Sequence, residues 1–188
     1  AKEGTPNEEK LKKLKGELDA ATANMQKIYN GGFTLARLNQ KLTAIQDAGE
    51  TIHTLVISGH HGSSFTGEFV SGGVSMDDIS QVFDNFPRLR DSIQMLIVLA
   101  CYGATQDGVM NWKARFPSLT VVAGFVASGP SGEFPSSYQF LASLLRQREA
   151  LAKVASLEEA KIAFGNISYS RANSTAIAFH QFYVPRDG

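Results

Sequence analysis

Two short apolar runs, each followed by a reactive side chain, constrain the fold of this chain more than any other feature. Residues 54–59 (TLVISG) form the first run, and His61 follows it. Residues 93–100 (IQMLIVLA) form the second, and Cys101 follows it. Short apolar runs rich in Val, Ile and Leu are typical of strands that are buried on both faces of a parallel sheet. Because ligands bind beyond the carboxyl ends of such strands, we expect the imidazole and the thiol at one edge of the sheet.

The rest of the chain alternates between helical and strand patterns. Between the two key runs, Ser75 is a predicted cap, with acidic residues in the first turn of its helix and Pro87 at its end. Further helices are predicted after Thr34 and at residues 105–116, 136–154 and 157–164, and further strands at residues 119–124 and 176–184. This alternation predicts an α/β fold, a three-layer α/β/α sandwich with a mostly parallel sheet.

The domain organisation predicted from the pattern has two parts. Residues 1–30 form an amphipathic helical segment, either a linker or a remnant of a longer protein, and residues 31–188 form the main domain. A central strand that leads to His61 is normally preceded by other strands, yet upstream we find only one short candidate strand, at residues 25–29. The pattern therefore indicates that an amino-terminal part of the domain is missing from this chain. Since the chain begins at Ala1 rather than Met, removal of an export signal and a cytoplasmic location both stay open.

Charge and cysteine content exclude several classes of function. The 18 basic and 18 acidic residues cancel, which argues against nucleic acid or an anionic membrane as a partner. No apolar run is long enough to cross a bilayer. A single cysteine cannot form an internal disulfide, and with four scattered histidines it gives no zinc-type spacing. We therefore expect neither a metal nor another cofactor, and Cys101 is either an inert core residue or a reactive one.

Cys101 and His61 together suit nucleophilic catalysis. A thiol attacks as the thiolate, and a nearby imidazole takes its proton. Glycine after the histidine lets the N–H of Gly62 approach a substrate carbonyl closely, and the N–H of Cys101 is a second candidate donor to the oxyanion. Nucleophile, base and oxyanion donors are thus expected from two strand ends.

These motifs resemble those of a known family. A hydrophobic strand ending in His-Gly, followed by a second ending in Ala-Cys, is the pattern of the caspase-like cysteine peptidases of clan CD, which include caspases, legumain, gingipains, clostripain and separase. The stretches LVISGHHGSS (55–64), LIVLACYGATQDG (96–108) and TVVAGFVASG (120–129) look most similar to the CHAT branch, whose domains are often joined to tetratricopeptide repeats. The resemblance covers Ile52 to Leu151 and implies that residues 31–188 are a caspase-like peptidase domain.

The resemblance implies roles for individual residues. His61 is the general base, Cys101 the nucleophile and Gly62 an oxyanion donor in a reaction that cuts peptide bonds. The Gly neighbour favours His61 over His60. Several relatives have an acidic residue directly before Ala-Cys that recognises a basic substrate residue, but here Leu99 stands there, so a preference for Arg or Lys is not carried over. Candidates for the substrate pocket are Asp107, Ser128 and Glu133.

Other interpretations compete with a peptidase. A lone cysteine at the end of an apolar strand is commonly a core residue. The chain is then a non-catalytic caspase-like interaction module that binds a partner in a larger assembly. For either interpretation, a missing amino-terminal segment and a regulatory partner stay open as further partners. A hydrolase of small esters or amides is a third interpretation, although nothing in the pattern suggests an enclosed small-molecule pocket. For the peptidase, the expected partner is a protein or peptide substrate.

Overall fold

The computed structural model describes residues 34–59, 68–69, 74–129, 135–167 and 174–186. The chain divides into two units, Ala1–Thr34 and Leu35–Gly188, and every element described here belongs to the second. The predicted helical segment at residues 1–30 and the candidate strand at 25–29 lie outside the described residues. In chain order the described elements are α1 (Leu35–Asp47), β1 (Thr54–Ser58), β2 (Glu68–Phe69), β3 (Val74–Ser75), α2 (Met76–Asp84), α3 (Pro87–Arg90), β4 (Met95–Leu99), α4 (Gln106–Arg115), β5 (Val121–Phe125), α5 (Pro135–Arg146), α6 (Arg148–Ala152), α7 (Leu157–Gly165), β6 (Thr175–Phe179) and β7 (Phe182–Arg186).

The main sheet has five strands in the order β1-β4-β5-β6-β7. β1 pairs with β4, and β4 with β5, in parallel, whereas β6 pairs antiparallel with both β5 and β7. The predicted α/β class is confirmed. Parallel pairing, however, covers the three strands on the β1 side only. β2 and β3 form a separate two-stranded antiparallel ladder between β1 and α2.

Helices pack on both faces of the sheet, because side chains of the central strands alternate between two apolar clusters. On one face Leu96, Val98 and Val122 pack with residues of α1 to α4. On the other face Ile97, Phe125 and their neighbours pack with residues of α5 to α7. Every residue of β4, β5 and β6 is buried, which explains why the sequences of β4 and β5 are continuous apolar runs. The described elements thus form three layers.

β1 differs from its neighbour β4 because, among the described residues, it is the last strand on its side of the sheet. Leu55 and Ile57 pack against the cluster of α1 to α4. Val56 points to the opposite face and is 39% exposed. β1 therefore buries its apolar side chains mainly on one face, although its sequence resembles that of β4.

The amino terminus of α2 is capped as the sequence predicted. The Ser75 hydroxyl accepts a hydrogen bond from the N–H of Asp78, and the Asp78 carboxylate accepts from both the N–H and the hydroxyl of Ser75, each at 2.8 Å. These reciprocal bonds satisfy backbone donors that a helix leaves open at its start. The helix ends at Asp84, and Pro87 is the first residue of the next helix, α3.

The cap makes stability depend on pH in a defined direction. Hydrogen bonds from the Ser75 backbone and side chain hold the pKa of Asp78 below its ordinary value of 3.8. A carboxyl with a lowered pKa in the folded state stabilises it above about pH 4, and that contribution is lost as the pH falls through the lowered value. We expect Asp78→Asn to lower the urea midpoint at pH 7, with a smaller difference from wild type near pH 3. Asp47→Asn, which removes a carboxylate at the exposed end of α1, is the control and should leave the urea midpoint at pH 7 near that of wild type.

One predicted strand is wrong: residues 176–184 do not form a single strand. The chain turns at His180 and Gln181, so that β6 and β7 form a hairpin. His180 has a φ of 47°, its N–H donates to Thr120 O, and its carbonyl accepts from Lys113 Nζ. These partners lie far away in sequence, which is why the alternating pattern through the turn gave no sign of it.

One predicted helix is also wrong in detail, because residues 136–154 form two helices. α5 ends at Arg146 and α6 begins at Arg148, with Gln147 between them. The Gln147 side-chain amide donates to the carbonyl of Asn166, at the end of α7. The break between α5 and α6 thus lies at the residue that contacts the end of α7.

Candidate active site

Cys101 lies just beyond the carboxyl end of β4, as predicted. The strand ends at Leu99, and Cys101 is half-buried with a free thiol. In the neighbouring strand Ser58 is in register with Leu99, and the N–H of Gly59 donates to Leu99 O at 3.3 Å. β1 and β4 therefore end at the same level of the same sheet edge.

The turn that carries Cys101 is anchored on the end of β5. The N–H of Tyr102 donates to Ala127 O, and the N–H of Ala104 donates to Phe125 O, both at 3.0 Å. Tyr102 has a φ of 58°, in the left-handed region that costs a residue with a Cβ about 1–2 kcal/mol. Such a conformation persists only where surrounding contacts fix it, and the two hydrogen bonds to β5 and its loop supply such contacts.

A second anchor of the turn comes from β7. The Tyr183 hydroxyl donates to the carbonyl of Ala104 at 2.8 Å. Burial raises the pKa of Tyr183 above 10.0, so the phenol stays protonated and remains a donor through neutral pH. Ala104 itself is fully buried. Both backbone polar groups of Ala104 are thus held, one by β5 and the other by β7.

α4 follows the turn directly. Its N-cap is Thr105, whose hydroxyl accepts from the N–H of Gly108 at 3.2 Å. Asp107 is exposed in the first helical turn. A carboxylate there stabilises the positive end of the helix dipole, which gives this predicted pocket residue a structural role of its own.

The loop after β5 lies beside the thiol. Cys101 Sγ is 4.0 Å from the carbonyl oxygen of Gly129, a long contact in which the thiol is at most a weak donor. A Cβ at Gly129 would lie 2.5 Å from the Phe125 ring, so only glycine fits here without displacing its neighbours. Ser128 is exposed and directly precedes Gly129. The described part of this loop therefore adjoins the sheet edge that carries Cys101.

The predicted site residues therefore fall into two groups. Cys101, Asp107 and Ser128 are described, and Cys101 adjoins the loop that carries Ser128. His60, His61, Gly62 and Glu133 lie outside the described residues, so the dyad and the Gly62 donor stay predictions. The contact between Tyr183 and Ala104 could not be predicted, since no local sequence pattern joins residues so far apart.

Among the described residues no group of three or more His, Cys, Asp or Glu side chains is arranged to hold a metal ion. No helix in the described ranges is both long and apolar enough to span a membrane. No protein-family model, curated protein or solved structure matches the chain.

Proposed function

We propose that the chain is a caspase-like cysteine endopeptidase in which Cys101 is the nucleophile and His61 its general base. The observation that carries the proposal is the hydrogen bond from Gly59 to Leu99, which aligns the ends of β1 and β4. Cys101 is two residues beyond Leu99, and His61 is two residues beyond Gly59. Two residues span at most about 7 Å of chain, so the aligned ends support a contact between the two side chains.

The proposed reaction proceeds through a thioester. The Cys101 thiolate attacks the carbonyl carbon of the peptide bond, and the N–H groups of Gly62 and Cys101 stabilise the oxyanion. The intermediate collapses as the C–N bond breaks, and the imidazolium of His61 gives its proton to the leaving amine. A water molecule, deprotonated by His61, then hydrolyses the thioester and releases the acid and the thiol. The reaction needs no cofactor.

The substrate is a protein or peptide. In several caspase-like peptidases an acidic residue directly before Ala-Cys recognises arginine or lysine, but Leu99 here is apolar and only 8% exposed. Specificity for a basic residue is therefore not part of the proposal. Exposed Ser128, next to the glycine that adjoins the thiol, is the best supported of the three pocket candidates, ahead of Asp107 and Glu133.

The test is alkylation of the thiol by iodoacetamide, followed by intact mass spectrometry. Because the chain has one cysteine, each added mass reports on Cys101 alone. An ordinary thiol with a pKa near 8.5 is only about 1% thiolate at pH 6.5. We expect rapid labelling of wild type at that pH, labelling of His61→Ala about a hundredfold slower, and wild-type behaviour in His60→Ala.

The histidine pair supplies the matched control, since both variants remove an imidazole from adjacent positions. Slow labelling at pH 6.5 in all three proteins would contradict the proposal. That outcome favours the non-catalytic interaction module.

A further inference from the structure

The contact between Tyr183 and Ala104 joins the last strand of the sheet to the turn that carries Cys101. In the strand order, β5 and β6 lie between β4 and β7. Tyr183 packs on the sheet face covered by α1 to α4, and its hydroxyl reaches Ala104 at 2.8 Å. The last strand of the sheet therefore contacts a residue three positions from the thiol.

Small side chains on the intervening strands make this reach possible. Tyr183 is in register with Ala178 of β6, and the next residue of β6 on the same face, Ala176, is in register with Gly124 of β5. A Cβ at Gly124 would lie 3.1 Å from the Cβ of Ala104, so Ala104 rests directly on this glycine. Alanine and glycine thus leave space for the phenol ring to cross the sheet face to the turn.

Among the described residues, the Tyr183 hydroxyl is the donor to the carbonyl of Ala104. The following residue, Thr105, is the N-cap of α4, and its own carbonyl accepts the first helical hydrogen bond, from Val109. Ala104 thus precedes the helix, and its carbonyl stands outside the helical hydrogen-bond ladder. A buried carbonyl that loses its donor destabilises the conformation that buries it.

We infer that Tyr183 is a positioning residue for Cys101, which fixes the direction of the thiol by holding the carbonyl of Ala104. Its importance for catalysis rests on the proposed function. Ala104 is held at its N–H by Phe125 and at its carbonyl by Tyr183, and between it and Cys101 lies Tyr102 with left-handed backbone. Loss of the hydrogen bond from Tyr183 lets the left-handed backbone of Tyr102 relax, and the thiol of Cys101 then turns away from the imidazole of His61.

Tyr183→Phe tests the inference because it keeps the ring and removes only the hydroxyl. The readout is the iodoacetamide rate at pH 6.5 divided by the rate at pH 9.5. At pH 9.5 an ordinary thiol is about 90% ionised, so that rate reports access to the sulfur, whereas the rate at pH 6.5 reports the thiolate that the imidazole maintains. We expect Tyr183→Phe to lower the ratio about tenfold, since misplacement of a reacting group by about 1 Å can cost up to a hundredfold.

Ile93→Val is the matched control for a general loss of stability. Ile93 is fully buried in the same cluster as Tyr183 but precedes β4, at the opposite end of the strand from Cys101. Both variants are expected to lower the urea midpoint, and only Tyr183→Phe to lower the rate ratio. With a cleavable peptide, Tyr183→Phe should reduce kcat and leave KM near the wild-type value.

The proposed dyad and the positioning role of Tyr183 are tested by different variants. If the rate ratio is high in wild type and in Tyr183→Phe but low in His61→Ala, the positioning role is overturned and the dyad stands. Equal decreases in Tyr183→Phe and Ile93→Val would also overturn the positioning role, because they reflect stability alone. A wild-type ratio equal to that of an ordinary thiol overturns the proposed function, and the inference with it.

Discussion

Replacement of Cys101 by alanine is expected to reduce peptide-bond hydrolysis by at least about 10⁴-fold. The thioester intermediate cannot form without the sulfur, and what remains is binding and oxyanion stabilisation. The measurement is release of a fluorophore from a broad peptide library by wild type and by the variant at equal concentrations. Wild-type activity in Cys101→Ala would contradict the proposed mechanism.

The fold of Cys101→Ala should be almost unchanged. The thiol is half-buried and its described polar contact is the long one to Gly129, so we expect its free energy of unfolding to stay within about 1 kcal/mol of wild type. Ser128→Ala, which truncates an exposed side chain in the loop that carries Gly129, alters a candidate pocket residue and not the proposed dyad. It should retain the intact dyad, and any change in its activity should depend on the peptide sequence.

Replacement of Gly124 by alanine is expected to lower the free energy of unfolding by about 3 kcal/mol. The added Cβ would lie 2.6 Å from the carbonyl oxygen of Val98 and 3.1 Å from the Cβ of Ala104. Val98 is the partner of Gly124 in the ladder between β4 and β5, and a backbone oxygen cannot rotate away as a side chain can. The two central strands must separate or the Cys101 turn must move.

Gly165→Ala provides the matched control for Gly124→Ala. The nearest atom to a Cβ at Gly165 is Arg186 Nη2 at 3.7 Å, an ordinary contact. Gly165 is the last residue of α7, where alanine is a better helix former than glycine. Urea unfolding should show an unchanged or slightly raised stability for Gly165→Ala, and equal midpoints for the two variants would refute the argument from close packing.

The elements that hold the candidate nucleophile could be predicted from the sequence because their signals are local. β1, β4 and β5 each appear as a short apolar run, and the cap of α2 appears as Ser75 followed by two acidic residues in the first helical turn. The position of Cys101 after β4 follows from the same pattern. These predictions use only neighbouring residues and the rule that parallel strands share a carboxyl edge.

The elements that the sequence could not predict depend on distant partners. The turn at His180 is fixed by Lys113 and Thr120, and the break at Gln147 adjoins a bond to Asn166. Residues 176–184 are mostly apolar and include no glycine, asparagine or proline at the turn, so one strand is the simplest interpretation.

The same limitation applies to the candidate site. The pairing of His61 with Cys101 comes from motif order and from the resemblance, and it stays a prediction. The anchoring of the turn by Tyr183 is a contact across two intervening strands, β5 and β6, and it depends on the small residues at 124, 176 and 178. The position of a tyrosine in such a run does not predict whether its hydroxyl binds water or a buried carbonyl.

The proline in β7 bears on how the molecule behaves when it is concentrated. Within the described residues β7 is the last strand on its side of the sheet, and Pro185 is exposed near its end. Proline has no N–H, so β7 cannot present an unbroken row of donors to the strand of another molecule. Exposed edge strands are templates for aggregation, and a proline in such a strand blocks the growth of a continuous intermolecular sheet. The strand that anchors the Cys101 turn through Tyr183 is therefore also protected against self-association by its own sequence.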